Sequence, residues 1–185
     1  LTNCENNGYP FATIKLSNVS FENNEYTAEL DLNKNKLVKI DSIIIKGNAK
    51  IAPVYIYNYL DLKPGQLYNE SKLSRISYRL KEVAFISELK PNQLLFTENI
   101  TKVYLYLDNK KASQFDGVIG FLPDENKEGK LNITGEVHLK LQNSLQRGEV
   151  IEFNWKQFPN QSQDLKIHFL YPFLFNTLFG IDGNL

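Results

Sequence analysis

Hydrophobic and polar residues alternate with a period of two over much of this chain, the pattern of β-strands with one buried face. Residues 25–32 give the first clear example, with an apolar residue at every second position. The preceding run, 12–21, is predicted to be its hairpin partner across a turn at 22–24. A third strand is predicted over 37–46, because its Val and Ile content is too high for an exposed edge strand.

Helical periodicity is confined to the segment that follows this strand. Pro53 suits the first turn of a short helix that ends near Leu60, before the Lys-Pro-Gly sequence at 63–65. Asn69 is predicted to cap a second helix. The apolar residues of this second helix are spaced so that they share one face: Leu73, Ile76, Leu80 and Val83.

Two further strands complete this part of the chain. One is predicted over 85–96 with an interruption at Pro91, and the other over 101–107. Because proline cannot donate a hydrogen bond to a neighbouring strand, the strand that contains Pro91 is predicted to lie at a sheet edge. The segment 37–108 therefore has the element order strand, helix, helix, strand, strand.

From Phe115 onward the pattern is entirely that of antiparallel strands. Apolar and polar residues alternate in 131–141, 151–156 and 165–171, and more weakly in 115–121. Strands of this length with short turns are typical of transmembrane β-barrels. A soluble sandwich or lipocalin-like barrel would show the same alternation. Aromatic residues near the strand ends favour the membrane interpretation: Phe158, Tyr171, Phe173, Phe175 and Phe179.

Composition and charge exclude several classes of function. The 185 residues carry 21 basic and 21 acidic side chains, so no basic field favours a nucleic-acid partner. With one cysteine and two distant histidines, neither a disulfide framework nor a metal or cofactor site is expected. An acidic cluster could be imagined as paired catalytic acids or calcium ligands, but a solvated loop is favoured and no enzyme is expected: Asp116, Asp124, Glu125 and Glu128.

A binding module is a competing hypothesis. It would be a soluble β-rich surface domain that recognises glycan or protein through exposed aromatic residues. The three tyrosines alternate inside a predicted helix and cannot share one face, which counts against such a platform. The residues proposed for this role are Tyr55, Tyr57, Tyr59, Trp155 and Phe158.

The order of the motifs is more specific than any single motif. Ile43-Ile44-Ile45-Lys46-Gly47-Asn48, followed by Leu62-Lys63-Pro64-Gly65-Gln66, resembles the POTRA domain, the polypeptide-transport-associated repeat. The sequence at 115–121 resembles the first barrel strand of the Omp85 superfamily. Residues 135–145 with Arg147-Gly148-Glu149 resemble the second strand, its turn and the third strand, and Tyr171-Pro172-Phe173 the end of the fourth. The branch most similar is that of BamA and TamA.

This resemblance implies a fold class and three segments. The fold would be an α+β POTRA domain of order β-α-α-β-β, joined to an antiparallel all-β segment that begins a transmembrane β-barrel. Residues 1–35 would be the last strands of a preceding POTRA repeat, 36–112 the last POTRA domain and 113–185 the first barrel strands. Because four or five strands leave open edges that lipid cannot satisfy, we expect a fragment of a longer protein.

The resemblance also implies a function without covalent chemistry. The parent would be a Gram-negative outer-membrane assembly or insertion factor with its POTRA part in the periplasm. Its partners would be unfolded outer-membrane protein clients, outer-membrane lipid and accessory lipoproteins or periplasmic subunits. A two-partner-secretion transporter is the alternative within the superfamily. Clients would add to the edge strand formed by Phe85, Ile86, Ser87, Glu88, Leu89, Leu94, Leu95 and Phe96.

The first barrel strand would form one side of a lateral seam, through Phe115, Gly117, Ile119, Gly120 and Phe121. Its two glycines would either ease opening of the seam or mark a bend or bulge, and the latter is favoured. Lys90 and Pro91 leave a second alternative open, because they would protect the client-binding edge from pairing. Gly135 is expected to mark a close backbone approach rather than a site.

Overall fold

The computed structural model describes residues 1–123, 131–159 and 162–185. This described part contains no helix with both the length and the apolar character needed to span a membrane. It divides into two compact units. The first unit comprises 1–47, 60–82 and 88–107, and the second comprises 48–59, 83–87 and 108–185.

The first unit begins with a short helix and a hairpin. Helix α1 (Thr2–Glu5) precedes strands β1 (Thr13–Glu22) and β2 (Glu25–Asn33), which pair antiparallel as predicted. Asn23 and Asn24 both have positive φ, the conformation that a tight two-residue hairpin turn requires. No residue of β1 or β2 is buried, so the predicted buried face is wrong. The alternation shows that one face is apolar, but no second layer of described residues covers it.

A three-stranded sheet has the order β3-β5-β4. Strand β3 (Ser42–Lys46) runs parallel to the central strand β5 (Thr101–Asn109). The third strand was expected over 37–46 and away from an edge; the strand is shorter and lies at an edge, so this expectation is wrong. Its apolar residues are explained by one-sided burial, since Ile43 is buried while Ile44 and Ile45 are half-buried. Lys39 forms only an isolated bridge with Leu67.

Strand β4 (Ile86–Phe96) forms the other edge of this sheet. The edge position predicted from Pro91 is therefore confirmed. The predicted interruption at Pro91 is wrong, because the strand runs continuously through it. An edge strand tolerates proline because the missing N–H affects only one side of the strand.

Three helices lie between β3 and β4 in the sequence: α2 (Pro53–Leu60), α3 (Glu70–Ser74) and α4 (Ile76–Lys81). Asn69 caps α3 as predicted, since its side chain accepts a hydrogen bond from the Lys72 N–H at 2.9 Å. The single predicted helix is instead divided at Arg75, which ends α3 and begins α4. The predicted apolar face is confirmed, because all four of its members are buried: Leu73, Ile76, Leu80 and Val83.

The second unit contains an open antiparallel sheet of five strands in sequence order. Its strands are β6 (Gln114–Pro123), β7 (Leu131–Gln142), β8 (Val150–Gln157), β9 (Gln163–Tyr171) and β10 (Ile181–Asn184). Strand β10, which the alternation did not predict as a separate element, follows a 3-10 turn at Leu174–Asn176.

Three glycines of this sheet had been interpreted from the sequence. Pairing between β6 and β7 is continuous from Gln114 opposite Lys140 to Pro123 opposite Leu131, so a bulge at Gly117 or Gly120 is wrong. The expectation for Gly135 is confirmed, because a Cβ at this position would lie 3.0 Å from the Val118 carbonyl oxygen.

Candidate functional site

The five-stranded sheet has one face that is almost entirely apolar. The register places Phe115 opposite Leu139, Leu139 opposite Phe153 and Phe153 opposite Ile167, so this row crosses four strands. The β6 residues of this face are far from buried, with Phe115 71%, Ile119 69% and Phe121 63% exposed. An exposed apolar surface that continues across a whole sheet marks an interaction site, where another protein, a ligand or lipid covers it.

The opposite face carries opposite charges on facing strands. Glu152 is flanked by Lys140 on one side and His168 on the other, with Lys140 Nζ 2.5 Å from Glu152 Oε1. His168 Nδ1 lies 3.6 Å from Glu152 Oε2, and its Nε2 lies 2.8 Å from Asp182 Oδ1. These groups form a row of alternating basic and acidic side chains across β7, β8, β9 and β10. Such cross-strand pairs stabilise the register because like charges would repel after a slip.

Two more pairs of a basic and an acidic side chain lie on the same polar face. Lys156 Nζ is 3.1 Å from Glu136 Oε2, and the two residues are directly opposite in β8 and β7. His138 Nδ1 is 3.8 Å from Asp116 Oδ2 across β7 and β6. Both histidines of the chain therefore lie on this face beside carboxylates. The sheet therefore has one polar face and one apolar face.

The predicted seam residues all lie in β6, which is the first strand of this sheet and pairs with β7. Phe115, Ile119 and Phe121 share the apolar face with Gly117, since each faces an odd-numbered residue of β7. Gly120 lies on the polar face, where a Cβ would be 2.7 Å from Thr134 Oγ1. The outer edge of β6 has no strand partner among the described residues.

The predicted client-binding residues lie at the edge of the other sheet. Ile86 is buried at the start of β4, and Phe85, which immediately precedes the strand, is also buried. Leu89 and Leu95 are 59% and 43% exposed. Ser87, Glu88, Leu94 and Phe96 are half-buried. The Lys90 ammonium lies 3.9 Å from the centre of the Tyr106 ring, so it is held over the sheet face by a cation–π contact.

A turn between β7 and β8, here called turn A (residues 143–149), has an internal framework of hydrogen bonds. The carboxylate of Glu149 accepts hydrogen bonds from the N–H groups of Leu145 at 2.5 Å and Arg147 at 3.1 Å. The Asn143 Oδ1 accepts one from the Gly148 N–H at 2.9 Å. Glu149 is completely buried. Because a buried carboxylate is costly unless hydrogen bonds satisfy it, this framework fixes the turn.

Turn A is hydrogen-bonded to the segment that begins helix α2. The Ala52 N–H donates to the Gln146 carbonyl at 2.8 Å. The Asn143 side-chain amide donates to the Lys50 carbonyl at 2.9 Å. Asn143 thus joins turn A to the entry of α2 while it also holds Gly148.

Tyr55 of helix α2 lies at the centre of an aromatic cluster in this unit. Its ring centre is 5.7 Å from that of Tyr59, 5.5 Å from Phe85 and 5.4 Å from Phe173. A Cβ on Gly148 would lie 2.0 Å from Tyr55 Cε2. Burial raises the pKa of the Tyr55 hydroxyl above its usual value, with a further contribution from Tyr59.

A second turn, here called turn B (residues 172–180), lies at the same end of the sheet. It joins β9 to β10, and Tyr171 faces Ile181 across its base. The Asn58 side-chain amide donates to the Asn176 carbonyl at 3.2 Å. Arg147 of turn A donates to the Asn176 Oδ1 at 3.3 Å. Helix α2 is therefore joined to both turns.

The binding-platform hypothesis requires exposed tyrosines, and the structure contradicts it at its first residue. Tyr55 is only 8% exposed, and Tyr57, Tyr59 and Trp155 are half-buried. Phe158 is 38% exposed. The helical spacing explains this outcome, because it directs Tyr55 inward.

The acidic-cluster hypothesis falls partly on residues outside the described ones. Asp124, Glu125 and Glu128 lie outside the described residues. Asp116 is described, and it lies beside His138 on the polar face of the sheet. Within 1–123, 131–159 and 162–185, no group of three His, Cys, Asp or Glu residues is placed to hold a metal ion.

The sequence did not predict the hydrogen bonds and ring contacts that connect helix α2 to turn A and turn B; these contacts are called the joint below. The sequence pattern at Arg147-Gly148-Glu149 predicts a turn between two strands and no contact with a helix. The need for glycine at 148 arises from Tyr55, which is distant in sequence. The cross-strand pairs of basic and acidic side chains could have been predicted from the sequence, because these residues occupy facing polar positions of successive strands once the turns fix the register.

Comparison with known proteins identifies part of the chain. The profile of the POTRA family, described as a surface antigen variable number repeat, matches residues 38–108. No curated protein sequence matches the chain.

Solved structures extend the comparison to the whole chain. The structure of BamA from Haemophilus ducreyi lacking POTRA domains 1–3 has a TM-score of 0.64 at 15% identity, covering 99% of this chain and 34% of that one. CdiB from Acinetobacter baumannii has a TM-score of 0.44 at 14% identity, covering 89% and 30%. The POTRA3–5 structure of Haemophilus influenzae BamA has a TM-score of 0.39 at 16% identity, covering 60% and 44%.

The POTRA match and the BamA likeness confirm the predicted resemblance and fold class. An α+β domain of the POTRA type is followed by an open antiparallel sheet with the fold of the start of the BamA barrel. The chain spans about a third of the length of that BamA structure.

Proposed function

We propose that this chain has a role in the assembly of outer-membrane proteins, because it contains a POTRA domain at 38–108 and has the fold of part of BamA. In this proposal the POTRA domain lies in the periplasm and receives unfolded outer-membrane proteins. The sheet β6–β10 is the beginning of a transmembrane barrel through which they reach the membrane. The observation that carries the proposal is the two-faced sheet that follows the POTRA domain.

The dimensions and faces of the sheet support the membrane part of the proposal. A tilted strand needs about 9 to 11 residues to cross a bilayer. Strands β6, β7 and β9 contain 10, 12 and 9 residues and reach this length, whereas β8 and β10 are shorter, with 8 and 4 residues. The exposed apolar face would contact lipid. The face with paired Lys140, Glu152 and His168 would line the interior, where water satisfies the remaining polar groups.

The edge of β4 supports the client-binding part. An edge strand presents unpaired N–H and C=O groups, to which an extended peptide can add as another strand. Main-chain hydrogen bonds depend little on client sequence, which suits a protein that handles many unfolded barrels. The exposed side chains of Leu89 and Leu95 would add apolar contacts to the client. Pro91 removes one donor from the strand and so limits its affinity.

The outer edge of β6 supports the seam. We assign it the same chemistry, pairing with an incoming strand or with the closing strand of the barrel. Gly117 and Gly120 provide few side-chain contacts with β7, which lowers the cost of separating the strands locally.

A cross-linking experiment tests the client-binding part. A photoreactive phenylalanine analogue is placed at Leu89 or Leu95 of the intact protein, and the protein is illuminated with an unfolded outer-membrane protein. A matched control carries the analogue at Tyr78 of helix α4, which is 68% exposed. We expect the two β4 positions to cross-link the client at least about fivefold more than position 78.

Two further outcomes define this experiment. Equal cross-linking at positions 78, 89 and 95 would contradict recognition by the edge strand. Because pairing uses the main chain, the substitution Leu95→Ser should leave cross-linking at position 89 within about twofold. Complete loss of that cross-link in Leu95→Ser would contradict main-chain pairing and favour an apolar side-chain pocket.

A further inference from the structure

The three-stranded sheet β3-β5-β4 has one face that points away from the buried core. Every second residue of β5 is buried. The residues between them therefore point to the opposite face: Lys102, Tyr104 and Tyr106. The parallel register places Ile44 and Lys46 of β3 beside Tyr104 and Tyr106. This side of the sheet, here called the outer face, thus combines aromatic rings with lysines.

Lys90 of the edge strand β4 also lies on the outer face. Its ammonium group is 3.9 Å from the centre of the Tyr106 ring, and the Tyr106 hydroxyl donates a hydrogen bond to Gln93 Oε1 at 2.7 Å. Because Tyr106 belongs to β5, the inner neighbour of β4, the Lys90 ammonium lies over the sheet and not beyond its open edge. The side chain therefore leaves the main chain of the edge accessible and adds a positive charge beside it.

Positive charge exceeds negative charge on the outer face. The strands β3, β4 and β5 contain two acidic residues, Glu88 and Asp108. Glu88 accepts a hydrogen bond from Ser77 Oγ of α4 at 2.7 Å, so it lies on the helix side of the sheet. Asp108 lies near the end of β5 and accepts a hydrogen bond from the Asn109 N–H at 2.8 Å. The three lysines form no ion pair with any described residue: Lys46, Lys90 and Lys102.

A client strand that pairs with β4 would continue this sheet. Every second side chain of the client would then lie on the outer face. Adjacent strands are about 4.8 Å apart, so Lys90 would lie in the strand next to the client and Lys102 in the second, about 10 Å away. Carboxylates at these client positions would be attracted to the lysines, whereas client lysines or arginines would be repelled. The outer face therefore distinguishes clients by the charge on one side of the strand.

We propose that the outer face selects client strands whose polar side is acidic. Lys90 would contribute most, Lys102 less, and Lys46, on the far strand β3, least. Strands of membrane barrels suit this arrangement, because every second residue is polar. Their main chain would pair with β4 while their carboxylates lie near the lysines. This inference rests on the proposed function and names the class of client that the β4 edge prefers.

Peptide binding to the intact protein tests this selection. Two fluorescent peptides of about ten residues alternate valine with glutamate or valine with lysine. Their affinities are measured by fluorescence anisotropy at about 0.1 M salt, and a photoreactive phenylalanine analogue at Leu89 reports pairing with β4. The test variants are Lys90→Gln and Lys102→Gln. The matched control is Lys63→Gln, because Lys63 is exposed and its loop is hydrogen-bonded to the segment before β3, at the opposite edge of the sheet.

We expect the glutamate peptide to bind at least about fivefold more tightly than the lysine peptide. Its affinity should fall about threefold in Lys90→Gln, about twofold in Lys102→Gln and less than about 1.5-fold in Lys63→Gln.

Three outcomes would contradict parts of this account. Equal affinities for the two peptides, with both cross-linked at position 89, would overturn the charge selection and leave the client-binding proposal intact. Absence of a cross-link at position 89 with either peptide would overturn client binding at the β4 edge itself. A loss in Lys63→Gln as large as that in Lys90→Gln would overturn the assignment to the outer face, because it would show a response to net charge alone.

Discussion

Gly47→Ala is expected to destabilise the POTRA domain by about 3 to 5 kcal/mol. Gly47 follows β3 and has φ of +99°, which L side chains rarely adopt. A Cβ there would lie 2.1 Å from the carbonyl oxygen of Leu107. Because that atom is the main-chain oxygen of Leu107, a completely buried core residue of β5, it cannot move aside without disturbing the sheet. Urea unfolding followed by circular dichroism measures the loss.

Gly65→Ala is the matched control for this effect. Gly65 also has positive φ, +89°, but a Cβ there would meet nothing within 4 Å. It therefore isolates the conformational cost, which is about 1 kcal/mol. Equal losses for the two variants would contradict the close approach at Gly47.

Gly148→Ala is expected to destabilise the second unit by about 2 to 4 kcal/mol. The new Cβ would overlap the Tyr55 ring, which Tyr59, Phe85 and Phe173 confine. The fluorescence of Trp155, which lies in β8 of this unit, provides a measurement of unfolding in urea.

A double-mutant cycle separates the ring overlap from the backbone cost at position 148. Tyr55→Ala removes the ring and leaves space for the new Cβ, so Gly148→Ala should cost at least about 1 kcal/mol less in that background. Strictly additive losses would contradict this explanation, because they would show that the Tyr55 ring does not limit the space at position 148.

The sequence was sufficient to predict most strands because their periods are strong. In β7 and β8, successive residues face opposite sides, so the alternation determines both the strand and its faces. The same reasoning found the cap at Asn69, because a side chain that accepts the Lys72 N–H acts within one helical turn. Predictions based on local chemistry were therefore largely confirmed.

The failures arise where distant parts of the chain decide the outcome. β3 is apolar and yet lies at an edge, because alternation reports which face is covered and not how many strands are paired. The tyrosines of α2 were considered as a surface, whereas Tyr55 is buried among rings from other segments. The joint at Gly148 depends on residues far apart in sequence, so neither periodicity nor spacing could predict it.

The two candidate sites, the edge of β4 and the edge of β6, could likewise be predicted only as far as local chemistry determines them. Pro91 was sufficient to place β4 at an edge, since the restriction on proline is local. Whether a client pairs with the edge at β4 or with the edge at β6 depends on which segments of other proteins approach each edge, and local sequence patterns do not report this. Client binding at β4 and the seam at β6 therefore stay predictions.

Heat modifiability of the intact protein tests whether the sheet β6–β10 belongs to a membrane barrel, because a closed membrane barrel stays folded in cold detergent and unfolds on boiling. Outer membranes are isolated, and the protein is compared on a gel with and without boiling. We expect the protein to fractionate with the outer membrane and to change mobility when boiled. A protein that stays in the soluble fraction and has the same mobility in both lanes would contradict it.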